Sequence, residues 1–260
     1  MIYSNQNTAA HHLHEIITRV RATNGTIAEA WASALDTEWG THEFARRHSE
    51  VVTLLQMTIR QLGALPERSR ARCERHVSAW WTAVMQPVVN WTDINRSPLG
   101  IIDDDKLDHL ESAAELISGN LTGSDAAPRG GDLSEMTARC EEWIALLQSM
   151  GEDEIDGPVR AQLISQLRHL IWLVDHAGIF GGARVAEEAS TVIGSLARTG
   201  ATLVHMQEGS QTGWRKALLA LVAACVVFNT AAPILQESIT AGVGFAREIA
   251  NVVQDTQGNE

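Results

Sequence analysis

Apolar residues recur at helical spacing along almost the whole of this 260-residue chain, and convincing period-two alternation is missing. Side chains three and four positions apart share a helix face, whereas strands need alternation, so an all-α fold of helical bundles is expected. Local signals agree. Thr26-Ile27-Ala28-Glu29 reads as a capping box, in which hydroxyl and carboxylate satisfy the free N–H groups of a helix carrying Ala30, Trp31, Ala34 and Leu35. Val51, Leu55, Ile59 and Leu62 form one stripe, with Gly63 placed to end the helix. Pro66 suits the first turn of a helix whose inner face would be Cys73, Val77, Trp80, Trp81 and Val84, with Pro87 ending it. Asp103, Asp104 and Asp105 open another, since carboxylates in a first turn complement the helix dipole.

The segment GNLTGSDAAPRGG, residues 119–131, joins four glycines to polar residues and reads as a linker. Four parts are expected: an N-terminal helical domain over 1–118, the linker, a second bundle over 132–205 and an apolar C-terminal region over 206–260. In the second bundle a cap at Asp132 to Glu135 precedes an inner face of Met136, Trp143, Ile144 and Leu147. Gly157-Pro158 starts a helix with Val159, Leu163, Leu167, Leu170, Ile171 and Val174 inside, and Gly181-Gly182 separates it from one bearing Val185, Ala189, Val192, Ile193 and Leu196.

Composition narrows function by exclusion. The formal net charge is -12, and binding to nucleic acid phosphates calls for a surplus of cations, so nucleic acid is a disfavoured partner. Cys73, Cys140 and Cys225 lie far apart without a CxxC pair, which fits a reducing cytoplasm. The start, MIYSNQNTAAHHLHEII, lacks the basic and apolar regions of a secretory signal. Neither a Walker A loop nor GxGxxG occurs, and no cofactor is expected.

The C-terminal region differs in kind. Residues 217–236 contain no charge and begin ALLALVAACVVF. A helix of that length spans roughly 30 Å, the thickness of a bilayer's hydrocarbon core. Asn229, Thr230, Pro233 and Gln236 weaken its second half, while Trp214, Arg215 and Lys216 would anchor the preceding residues on the cytoplasmic side. A second apolar stretch, residues 238–246, could pack on the first, giving a hydrophobic C-terminal helical hairpin. On this reading Trp214, Leu218, Leu221, Val222, Val226, Val227 and Phe228 face lipid or partner helices, and the protein associates with the inner membrane through residues 214–246. The alternative is that the same helix is buried in the interior of an all-helical fold, as helices apolar on every face also are.

Candidate chemistry is sparse. His11, His14 and Glu15 fall near one helix face and could contribute to a metal site, although no second cluster supplies further ligands and a solvated terminal helix is the better explanation. His42-Glu43 is not a zinc-protease motif, because the next histidine, His48, lies six residues on and roughly 240° around the helix. Arg70 and His76 fit the Arg, four to six residues, His spacing of HEPN-type ribonucleases, but so do Arg198 and His205, and with 18 Arg and 10 His the spacing arises by chance. Arg60, Arg68, Arg72 and Arg75 make the first pair's neighbourhood basic. Trp91 and Trp214, near expected helix ends, are candidates for a partner surface.

Residues 155–197, IDGPVRAQLISQLRHLIWLVDHAGIFGGARVAEEASTVIGSLA, with KLDHLESAAELI at 106–117, resemble a group of helical proteins of actinobacteria and their mobile elements, of accessory or defence-associated type with an apolar C-terminus. The resemblance covers about a quarter of the chain and implies helix packing, not a catalytic residue. The leading expectation is a non-enzymatic helical interaction or sensing protein with a membrane-active C-terminal region, a membrane-perturbing effector of bacterial antiviral defence. Its partner would be another protein or a second copy of itself. A wholly soluble helical scaffold or regulator is the alternative, and a HEPN-like ribonuclease using Arg70 and His76 is the third.

Overall fold

The computed structural model describes residues 8–120, 130–202, 213–214, 216–221 and 224, and among these the chain is all-helical. Nine α-helices are present there: α1 (Ala9–Ala22), α2 (Ile27–Ala34), α3 (His42–Leu62), α4 (Glu67–Glu74), α5 (Val77–Met85), α6 (Asp104–Asn120), α7 (Gly130–Ser149), α8 (Gly157–Asp175) and α9 (Ala177–Thr202). They fall into two compact units. Unit 1 comprises residues 1–122 with Gly178–Ala183, and unit 2 comprises residues 123–177 and 184–260.

Unit 1 is built around α1, which packs against α2, α3 and α6. Leu13, Ile16, Ile17 and Val20 recur at i, i+3, i+4 and i+7, and all four are fully buried. A solvated first helix is therefore corrected: the histidines share a helix with the centre of the core. Thr8 caps α1 by accepting from the His11 N–H. At its other end Arg21 ion-pairs with Asp104 and donates to the Leu99 carbonyl at 3.2 Å, fastening α1 to the start of α6. The expected capping box opens α2 with both reciprocal bonds in place.

Two inner faces of unit 1 differ from the sequence reading, each for a local reason. On α3 the buried positions are Val51, Leu54, Leu55, Thr58 and Leu62, whereas Ile59 is 40% exposed. Thr58 takes the inward position because its hydroxyl donates to the Leu54 carbonyl at 2.8 Å, so no polar group is left unsatisfied. The single helix expected after Pro66 is two, α4 and α5, broken by a turn at Arg75-His76 that restarts the register. Trp80 and Val84 stay inside, while Val77 is only half-buried and Trp81 is turned outward. Helix α5 ends at Met85, before Pro87, with Gln86 left-handed at φ 41° and its side-chain amide donating to the carbonyls of Ala83 and Ile101, both at 3.3 Å.

In unit 2 helix α7 packs against α8. The α7 stripe is Met136, Cys140, Trp143 and Leu147, all fully buried, with Ile144 at its edge. It starts at Gly130, ahead of the cap expected at Asp132. Leu163, Leu167, Leu170 and Leu173 of α8 and Val185, Ala189, Val192 and Leu196 of α9 complete the core. The break expected at Gly181-Gly182 is present as a non-helical Gly181 (φ 80°, ψ 161°) inside α9. The C-terminal hairpin expected from the sequence lies, apart from the beginning of its first helix, outside the described residues.

Candidate functional site

Among the described residues no group of three or more His, Cys, Asp or Glu is arranged to hold a metal ion. Of the sequence-predicted ligands His11, His14 and Glu15 on α1, His11 and Glu15 are engaged with other residues. His11 Nδ1 lies 2.9 Å from Thr8 Oγ1, and Glu15 pairs instead with His12 at 3.4 Å. Burial holds the protonation of both His11 and His12 below the ordinary histidine range. The His12 ring lies directly beneath Gly181, where a β-carbon would stand 2.0 Å from its Cδ2. The glycine leaves room for the imidazole.

Among the described residues the expected ribonuclease pair, Arg70 and His76, form no hydrogen bond or ion pair with each other. Arg70 pairs with Glu74 along α4 at 3.6 Å. His76 sits in the turn before α5 and stacks on His109 of α6, ring centroids 3.9 Å apart and planes at 19°. Its protonation is held down by burial first, then by the charges of His109, Lys106 and Arg75, with Asp105 opposing. The guanidinium whose field reaches His76 is thus that of Arg75, its neighbour in the turn after α4, and not that of Arg70. Nothing in the sequence linked His109 to His76, because the two are 33 positions apart on different helices.

A second cluster in unit 1 is aromatic. Trp91, carried on the loop after α5, stacks on Trp39 at 5.1 Å, and its backbone carbonyl accepts from the Ala28 N–H at 2.8 Å. Phe44 and His48 of α3 stack at 5.7 Å and both meet Trp91 edge-on, while Trp31 closes the inner side. The rings pack on one another, from a fully buried Trp31 to Trp39 at 41% exposure. Val88 and Ile94, each three residues from Trp91, are 90% and 86% exposed. The sequence reading of Trp91 as a surface candidate rested on its place near a helix end, and the structure puts it at the half-buried rim of this cluster.

His48 Nε2 lies 3.0 Å from the Val84 carbonyl, so that nitrogen carries a proton and donates. Burial keeps the ring neutral by lowering its pKa, and the carbonyl opposes this only partly. A histidine whose folded pKa lies below its unfolded value of about 6.5 contributes stability that is present above that pH and is lost as pH falls. His11, His12 and His76 are shifted the same way. We therefore expect the melting temperature of the full chain to fall steadily between about pH 7 and pH 5, above the range in which carboxylates titrate, and His48→Phe to flatten part of that slope. A melting temperature constant over this interval would contradict the assignment.

Of the seven residues expected to face lipid or partner helices, three are described, and they are buried in unit 2. Trp214 is 3% exposed, and Leu218 and Leu221 are fully buried. Trp143 of α7 explains this. Its indole meets that of Trp214 edge-on at 4.8 Å, and its Nε1 donates to the Ala217 carbonyl at 3.1 Å. Gly200 of α9 lies so close that a β-carbon there would stand 2.4 Å from Trp214 Nε1. Val222, Val226, Val227 and Phe228 lie outside the described residues. Among the described residues no helix is long and apolar enough to cross a membrane. Two features of unit 2 escaped the sequence reading. Cys140 is so enclosed that burial pushes its thiol up to about 12, leaving it unreactive as a nucleophile near neutrality. Arg184 and Glu188 form a nearly buried ion pair at 2.8 Å across one turn of α9. No protein-family model, curated protein or solved structure matches this chain.

Proposed function

We propose that this chain is a helical interaction protein, a scaffold or regulator acting through a protein partner or a second copy of itself, in which unit 2 keeps the uncharged C-terminal run within its own interior. The observation that carries the reading is the seat of the run's first turns: Trp214, Leu218 and Leu221 buried, with the Ala217 carbonyl bonded to the Trp143 indole. Burying three such side chains contributes roughly 2 kcal/mol each relative to exposure, which any transfer of this helix elsewhere would have to replace. The half-exposed tryptophans of unit 1 and the apolar loop around Trp91 are consistent with a protein that works by contact.

A second reading is favoured by the 20-residue uncharged stretch itself: a defence-type effector whose run leaves unit 2 when a partner binds, associates with copies of itself and perturbs the inner membrane. One experiment separates the two. The full chain and a chain ending at Gly213 are expressed, and cytosolic fraction, carbonate-resistant membrane fraction and cell growth are compared. The interior reading predicts no membrane fraction and no toxicity from the full chain, together with poor folding of the shortened one. A carbonate-resistant, growth-inhibiting full chain beside a well-folded, harmless shortened chain would overturn it in favour of the effector.

A further inference from the structure

We propose that the junction of α4, α5 and α6 in unit 1 binds a small phosphate-bearing anion, held by Arg75, His76, Lys106 and His109. This goes beyond the interaction reading and does not depend on it.

In a chain of net charge -12, Arg75, His76, Lys106 and His109 bring nitrogen donors together; the carboxylate whose charge reaches His76 is Asp105, while Glu74 and Asp108 adjoin Arg75 and His109 in sequence. Arg75, Arg72 and Arg68 are exposed and, among the described residues, have no ion-pair partner, whereas the neighbouring Arg70 is taken by Glu74. Unpaired guanidiniums grouped on one short helix attract oxyanions, and Arg offers a planar fork suited to phosphate.

The stacked histidines sharpen the site. His76 Nδ1 is enclosed with no hydrogen-bond partner. A proton there would be buried without an acceptor, so the neutral ring carries its proton on Nε2, which is not enclosed and is a donor in search of an acceptor. His109 is exposed beside it, and Lys106, one turn before His109 on α6, adds an ammonium. A cation is disfavoured here, because Arg75 and Lys106 would repel it. A long polyanion is disfavoured by the net charge of the whole chain, whereas a small anion meets only the local field.

Asp105 is the built-in competitor. It ion-pairs with Lys106 and lies near both His76 and His109. An arriving phosphate displaces this carboxylate from Lys106 and favours protonation of His76, so binding is coupled to proton uptake and strengthens as pH falls.

The test uses the full chain and three probes, inorganic phosphate, sulfate and a nucleoside monophosphate, titrated while the histidine ring protons are followed by NMR. Sulfate keeps both charges across the range used, so its pH dependence reports the protein's groups alone. We expect the His76 and His109 signals to move, the His76 pKa to rise on saturation, and sulfate affinity to increase between about pH 7.5 and pH 6. His76→Gln and Arg75→Gln should each weaken binding roughly tenfold, and the exposed His109→Gln should weaken it without altering the melting temperature. Asp105→Asn should strengthen it. Tighter binding of the nucleotide than of inorganic phosphate would identify a phosphoester ligand, and equal affinity a free oxyanion. Unmoved His76 and His109 signals with every probe, or weaker binding by Asp105→Asn, would overturn the proposal.

Discussion

Gly181→Ala is expected to destabilise unit 1 by about 3 kcal/mol, among the largest effects of any single methyl added to this chain. Two independent causes act at that position. Its φ of 80° with ψ of 161° lies in a region that side chains essentially do not adopt, so the backbone must move or carry strain whatever the space around it. The new methyl would also stand 2.0, 2.1 and 2.6 Å from Cδ2, Nε2 and Cγ of His12. Contact with Cγ involves the root of the ring as well as its tip, so a small rotation does not relieve it. The two causes separate in a double-mutant cycle. His12→Ala on the Gly181→Ala background should recover the steric part, leaving the backbone part of roughly 1–3 kcal/mol. For a chain of this size the single substitution corresponds to a melting temperature lower by roughly 10 °C. A Gly181→Ala chain with unchanged stability would mean that Gly178–Ala183 does not pack on α1 as described.

Leu221→Asp is expected to unfold unit 2, with a loss of about 5 kcal/mol or more. Leu221 is fully buried, so the substitution forfeits the transfer energy of the leucine, leaves a void and encloses a carboxylate with no assigned partner. Leu221→Ala isolates the apolar part and should cost about 2–5 kcal/mol. Denaturant unfolding followed by tryptophan fluorescence reads both, because Trp143 and Trp214 lie in the same core. The lipid-facing reading predicts a different pattern: Leu221→Asp would leave the folded protein intact and abolish membrane association alone. A stable, fully folded Leu221→Asp protein would therefore count against the interior seat.

How far the fold could be read from residues depends on what each inference needs. Helix identity needs only local periodicity, so the stripes of α7 and α8 and the Thr26–Glu29 capping box could be recognised directly. The inward turn of Thr58 could not, because a threonine is polar by composition and becomes a core residue only through the bond to its own i−4 carbonyl. The break at Arg75-His76 carries neither glycine nor proline, so nothing local announced that Trp80 and Trp81 would part company there. The role of α1 was hidden for another reason. Its first turn is rich in histidine, and the full burial of Leu13, Ile16 and Ile17 depends on α2, α3 and α6 arriving from elsewhere in the chain. Contacts at long sequence separation were the hardest to foresee. His76 with His109, and Trp143 with Trp214 and Ala217, are visible only in three dimensions.

The hydrogen-exchange rate of the Trp143 indole proton reports whether the C-terminal run sits inside unit 2, since that proton is donated to the Ala217 carbonyl there. In the full chain it should exchange far more slowly than the indole protons of the exposed Trp39 and Trp81. In a chain ending at Gly213, which lacks the acceptor, the protection should be lost and the resonance should shift. A Trp143 indole that exchanges as fast as those of Trp39 and Trp81 in the full chain, and is unchanged by removing residues 214–260, would contradict the account.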